Sequence, residues 1–240
     1  MIPLHDDNPT DIFPVLTVTF IVLCIFVFLW QVSLGQTGNQ AAVYSLGVIP
    51  AVLLDKVQLP DELVLISPEL TVFTSMFMHG GFMHLAGNML YLWIFGNNVE
   101  DAMGHIRFVI FYLLCGIAAV FGQVLQNPDS QIPMIGASGA ISGILGAYLL
   151  LHPHARVLVV LPLGFYMHMV RMPAGFVLGF WFAIQIISSI SADPDSAGVA
   201  WFAHIGGFMA GVALIPLFKY RRVKLFQPGH GSKRWHKRIR

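Results

Sequence analysis

Six apolar stretches dominate this chain of 240 residues and decide which solvent it folds in. They run over residues 12–32, 81–99, 108–124, 138–151, 174–191 and 199–218. Each is long enough, or nearly so, to cross the roughly 30 Å hydrocarbon core of a bilayer. The fourth is short for a full crossing unless one of its ends stops below the lipid surface. Charged residues make up only 10 % of the chain. A soluble domain usually carries about 25 %, and so few charges could not cover a water-facing surface. A soluble enzyme, a nucleic-acid binder and a disordered chain are thereby excluded. What remains is an all-α polytopic membrane protein folded as one compact bundle. The first stretch is too long for a signal-peptide core and no small-x-small cleavage site follows it, so it is expected to stay. Cys24 and Cys115 both lie inside apolar runs, placed for neither a disulfide nor a metal.

The charges set the orientation. Residues 157–166 are also apolar, but Pro162 and Gly164 interrupt them, and they read as an interfacial or re-entrant loop. With the N-terminus inside, the inner loops hold Arg107, Arg156 and Arg171, and nine further Lys and Arg follow the sixth stretch. The outer side holds Lys56 alone, a ratio of twelve to one. The outer loops carry Asp55, Asp61, Glu62, Glu69, Asp129, Asp193 and Asp195 instead. The expected organisation is a short cytoplasmic terminus over residues 1–11, a six-span bundle over 12–220 and a basic cytoplasmic tail over 221–240. That tail reads first as a topology signal. A second reading is a patch for anionic lipid, at about 1 kcal/mol per basic residue near the surface.

Polar groups in lipid are costly when unpaired, so each needs a reason. The second, fourth and sixth spans run in the same direction, and each opens with unusual polar content near its outer end. The second carries His79, His84 and Asn88, the fourth Ser138, the sixth His204. The other spans hold only scattered weak groups such as Thr17, Thr19, Gln123 and Gln185. Ser138 follows Gly136 and Ala137 at an expected helix N-terminus, where a serine can cap, pack or act as a nucleophile. His204 shares a helix face with Gly207 and Gly211. The fourth span offers a matching small surface in Gly139 and Gly143, with Ser142 and Gly146 beside it. Two such faces should pack closely and bring the imidazole to the hydroxyl, the arrangement of an activated nucleophile. His84 and Asn88, four residues apart, share a face: either an interhelical hydrogen-bonded pair or donors aimed at an oxyanion, joined by the Ser138 amide. His79 is expected to make a structural hydrogen bond. His79 and His84 lack metal-ligand spacing, and no deep carboxylate completes a triad, so a catalytic pair would be a dyad.

Together these motifs resemble the rhomboid family of intramembrane serine proteases. His79, His84 and Asn88 match H-x-x-x-x-H-x-x-x-N. Gly136 to Gly139 match G-x-S-G, and Ala203, His204, Gly207 and Gly211 match A-H-x-x-G-x-x-x-G. The resemblance implies a six-span bundle that cleaves transmembrane protein substrates near the outer membrane face without a cofactor. Ser138 would be the nucleophile and His204 the general base and acid. His84, Asn88 and the Ser138 amide would form the oxyanion hole. His79, Gly136, Gly139, Gly143, Gly207 and Gly211 would serve structure and packing. The compact form fits a prokaryotic plasma membrane. Two departures stand out. PELTVF occupies the place of a Trp-Arg pair in the first loop, and Ser142 stands where some members have a tyrosine stacked on the histidine. His204 is then expected to be oriented by something else, Ser142 or a water. The competing readings are an inactive rhomboid-like protein that binds membrane clients, and a small transporter. The second lacks support from any inverted repeat or intramembrane acid.

Overall fold

The computed structural model describes residues 1–163, 166–191 and 198–229. Asp193, Asp195 and the basic tail from residue 230 onward lie outside the described residues. The chain is an all-α membrane bundle with one small sheet added. In order, it comprises β1 (Ile2–Asp6), α1 (Val15–Ser33), α2 (Gly35–Leu46), α3 (Pro50–Leu53), α4 (Pro68–Thr74), α5 (Phe82–Tyr91) and α6 (Asn97–Met103). There follow α7 (His105–Gln126), α8 (Ser138–Leu151), β2 (Arg156–Leu163), β3 (Tyr166–Pro173), α9 (Ala174–Ser191) and α10 (Trp201–Phe218). A π-helical turn, Leu92–Gly96, joins α5 to α6.

All six apolar stretches are helical. By length and composition α1, α7, α9 and α10 can each cross a membrane. The rod Phe82–Met103 qualifies together with the preceding Asp61–Phe77, from which it is bent by 79°. Helix α8 has 14 residues, or about 21 Å at the α-helical rise, so both its ends cannot reach the lipid surfaces. It is the central helix: every residue from Gly139 to Tyr148 is buried. Its small side chains explain how. A methyl group on Gly207 would overlap the Gly139 carbonyl oxygen, and one on Gly211 would overlap the Gly143 carbonyl. One on Gly146 would meet the carbonyl of Phe208. Helix α7 closes on the same stripe, with Ala119 against Gly139 and Cys115 against Gly143. Backbone contact of this closeness is how helices associate where no hydrophobic force drives them together. Cys24 and Cys115 are free and buried.

The sheet corrects one expectation. Of residues 157–166, read as an interfacial or re-entrant loop, 157–163 and Tyr166 belong to the antiparallel pair β2–β3, and the N-terminal segment supplies β1 on the other side of β2. Val157 and Val159 are fully buried, as β-branched residues on the inward face of a strand tend to be. Pro162 and Gly164 hid this because both read as breakers. The first strand also pairs with a segment some 150 residues away, beyond the reach of any local pattern. A buried polar cluster secures it. Tyr148 donates to Asp6 Oδ2 at 2.6 Å, the Asn98 amide donates to the same oxygen at 3.1 Å, and Asn8 donates to Asn98. Burial raises the Asp6 carboxyl to about 6, against the lowering effect of the Tyr148 hydrogen bond. The folded protein therefore holds this proton more tightly than the unfolded chain, whose aspartates titrate near 3.9. The associated stability is full below pH ~4 and is lost as pH rises through about 6, at most ~3 kcal/mol. Unfolding midpoints measured from pH 4 to 7 should show this slope, and Asp6→Asn should flatten it.

Helix α1 begins with no side-chain cap of its own. Its first turn is capped from across the bundle by Glu100 on α6, which is fully buried. The carboxylate accepts from the Leu16 amide at 2.9 Å, the Thr17 amide at 2.8 Å and the Thr17 hydroxyl at 2.7 Å. An anion at a helix N-terminus is favourably placed. His105 Nδ1 lies 2.6 Å from its other side. Glu100→Ala strands these buried donors and is expected to destabilise the bundle by roughly 3 kcal/mol. A thermal unfolding midpoint in detergent should drop by several degrees, with Glu100→Gln intermediate.

Candidate active site

The segment between α1 and α5 builds the approach to Ser138. Val48 and Met134 exchange two main-chain hydrogen bonds, at 3.0 and 2.7 Å, and the Ala51 amide donates to the Ser130 carbonyl at 3.0 Å. Lys56 pairs with Asp129 at 2.7 Å. The Gly136 amide then donates to the Ser75 carbonyl at 2.9 Å. At Gly136 φ is +131°, a backbone that side chains rarely adopt. A methyl there would also come within 2.9 Å of His84 Nε2. The chain needs glycine at this corner for both reasons. It enters α8 directly afterwards, so that Ser138 is the first helical residue. The amides of that first turn have no intrahelical acceptor and stand at the positive end of the helix dipole.

Helix α10 carries His204 in its first turn, and the Gly207–Gly139 and Gly211–Gly143 contacts draw that turn onto α8. The Ser138 hydroxyl lies 2.8 Å from Nε2 of His204. On its far side, Nδ1 of His204 lies 2.8 Å from Oε1 of Gln185 on α9. The Gln185 amide nitrogen donates to the Trp181 carbonyl at 3.1 Å. The imidazole is flanked by Trp181 and Trp201, with ring centroids at 5.9 and 6.3 Å. Ser142 does not orient it. Its hydroxyl turns back along α8 and donates to the Ser138 carbonyl at 2.6 Å, the usual bond of a helical serine to the preceding turn. Gln185 is the residue the sequence reading passed over. Its signal was the costly burial of an amide in mid-span, but without a spacing partner it ranked with Gln123 and Thr19.

Helix α5 brings His84 and Asn88 to the same cavity, about 980 Å³ in volume, that Ser138 and His204 line. The Gly80 amide approaches His84 Nδ1 at 3.4 Å. That bond makes Nδ1 the acceptor and leaves the proton on Nε2, the nitrogen on the Gly136 side. Asn88 is buried, and its amide nitrogen has no hydrogen-bond partner among the described residues. Asn88 lines the cavity, and an unpaired buried donor there lacks the partner that such groups normally have. His79 packs edge-on against His84 at 5.2 Å. The structural hydrogen bonds at His79 are made by its main chain: its amide donates to Gln31 Oε1 at 2.9 Å, and Gln31 donates back to its carbonyl at 3.3 Å. Both ring nitrogens lack a partner among the described residues. No three His, Cys, Asp or Glu among the described residues group as a metal site requires.

Chemically, the arrangement offers a hydroxyl beside a base, in a cavity that His84 and Asn88 also line. Met83 and Gly87 of α5 and Trp181 and Ile190 of α9 also line the cavity.

The chain is similar to several known proteins. A family model, the Rhomboid domain, matches residues 69–221. The chain is 32 % identical over 202 residues to the Rhomboid protease GluP of Bacillus subtilis, covering 84 % of this chain and 35 % of that protein. It is 29 % identical over 187 residues to Rhomboid protein 1, mitochondrial, of Saccharomyces cerevisiae, covering 73 % and 49 %. It is 27 % identical over 168 residues to RHOMBOID-like protein 5 of Arabidopsis thaliana, covering 68 % and 50 %. The chain thus spans half or less of the length of these relatives.

Proposed function

Since the chain belongs to the rhomboid family, we propose that it is an intramembrane serine endopeptidase working through a Ser138–His204 dyad. The observation that carries this is the 2.8 Å contact between Ser138 Oγ and His204 Nε2 at the wall of a cavity shared with Asn88 and His84.

His204 takes the Ser138 proton as Oγ attacks the scissile carbonyl, and later gives it to the leaving amine. The new C–O bond pushes the carbonyl electrons onto oxygen. The Ser138 amide, Nε2–H of His84 and the Asn88 amide converge on that oxyanion. Preorganised donors in a water-poor site are worth about 3–4 kcal/mol each. Water then hydrolyses the acyl-enzyme with the same histidine as base. No cofactor enters the scheme. The substrate class is the transmembrane segment of another protein. Such a helix hides its peptide groups in its own hydrogen bonds, so cleavage requires local unwinding. Helix-breaking and small residues near the substrate's outer end should favour it.

In this reading the protein crosses the membrane six times with both termini inside. The site opens outward from a prokaryotic plasma membrane, residues 12–220 form the catalytic bundle, and the basic tail meets anionic lipid. A fluorophosphonate probe tests the chemistry. The expected result is a covalent adduct mapped to Ser138. No adduct on the folded parent, or one that persists in Ser138→Ala, would overturn the assignment.

A further inference from the structure

We propose that Gln185 is a positioning residue for this chemistry. From α9 it accepts the Nδ1 proton of His204, and so holds the tautomer and ring direction that let Nε2 receive the Ser138 proton. The inference rests on the serine-protease reading of the site.

The geometry constrains both ends of the amide. Gln185 Nε2 is committed to the Trp181 carbonyl at 3.1 Å, so the oxygen, not the nitrogen, faces the imidazole. An amide oxygen can only accept. Nδ1 must therefore be the protonated nitrogen, which leaves Nε2 with a free lone pair 2.8 Å from the serine hydroxyl. The opposite tautomer would set two lone pairs against each other at Gln185 and present Ser138 with a donor. In a serine-protease triad the wrong tautomer costs on the order of 10⁴-fold in rate. Both side chains are more than nine-tenths buried, so water cannot readily replace the bond. An amide also suits the setting. Helices α8, α9 and α10 contain no acidic residue, and an ionised carboxylate in their midst would be costly. Trp181, one turn before Gln185 on the same face of α9, packs against the same imidazole. Helix α9 thus delivers both a wall and an acceptor to His204, and the working unit becomes Ser138, His204 and Gln185.

A purely structural amide would make a different forecast. Gln185→Leu is nearly isosteric, but it leaves the buried His204 Nδ1–H without an acceptor, so the unfolding midpoint should fall by only a few degrees with the fold intact. Its kcat is expected to fall roughly 100-fold, with KM for a transmembrane peptide within about threefold of the parent. Gln185→Glu keeps an acceptor in place and should retain activity within about tenfold. Nitrogen-15 NMR of histidine-labelled protein, with His204 assigned by its loss in His204→Ala, reads the tautomer directly. The parent should show a protonated Nδ1, and Gln185→Leu a shift toward the other tautomer. Parent-like kcat and an unchanged Nδ1 signal in Gln185→Leu would overturn the proposal. So would a kcat loss that follows a loss of thermal stability and is equal in Gln185→Glu. If the parent neither cleaves nor labels, the protease reading falls, and the nitrogen spectra still decide the tautomer claim.

Discussion

Ser138→Ala and His204→Ala are each expected to lower turnover of a transmembrane peptide by at least about 10⁴-fold, and the double variant should fall no further. The two side chains form one device. Without the hydroxyl there is no nucleophile for the imidazole to activate. Without the imidazole the hydroxyl, at 2.8 Å from where Nε2 stood, must attack as a neutral alcohol. Removing the second partner then removes nothing further, so the free-energy effects do not add. The residual rate belongs to the oxyanion donors, the Ser138 amide, His84 and Asn88, which neither substitution touches. Steady-state cleavage by the parent, both single variants and the double variant gives the cycle. Additive losses would mean that the residues act separately, and the dyad would have to be abandoned.

The second large effect is at Gly207. No hydrogen bond or charge is lost in Gly207→Val, yet activity is expected to fall at least 100-fold. Any Cβ there overlaps the Gly139 carbonyl oxygen, and main-chain oxygen inside a buried helix cannot step aside. The helices must separate by an ångström or more at the level of Ser138. A displacement of that size is enough to cost about 10²-fold when it falls between a nucleophile and its base. The bundle is also overpacked and should lose roughly 1–3 kcal/mol. Met209, two residues along on the lipid face and about half exposed, supplies the control: Met209→Val should leave turnover and unfolding midpoint near those of the parent. Equal effects at the two positions would contradict the close-approach argument.

These residues were legible in the sequence for one physical reason. Lipid makes polar groups expensive and gives small residues a packing role, so Ser138, His84, Asn88, His204 and the paired glycines stand out against the apolar background. Hydropathy also placed both ends of α8 and α9 correctly. What was not legible depends on partners far apart in the chain. The strand Ile2–Asp6 acquires meaning only when β2 lies beside it. Glu100 lies just past the second apolar stretch with no motif around it, and only the fold sets it under the first turn of α1. Gln185 had no motif around it. Its contact with His204 bridges two helices, and the sequence pointed to Ser142 or a water for the orienting task because Ser142 stands one turn after Ser138, where some family members have a tyrosine.

The central claim is that this membrane bundle cuts peptide bonds with Ser138. The direct measurement is cleavage of a labelled single-span substrate by the purified protein in liposomes, with the fragment ends read by mass spectrometry. The account predicts cleavage near the substrate's outer end by the parent and none by Ser138→Ala. An intact substrate with a folded parent, or equal cleavage by Ser138→Ala, would contradict it.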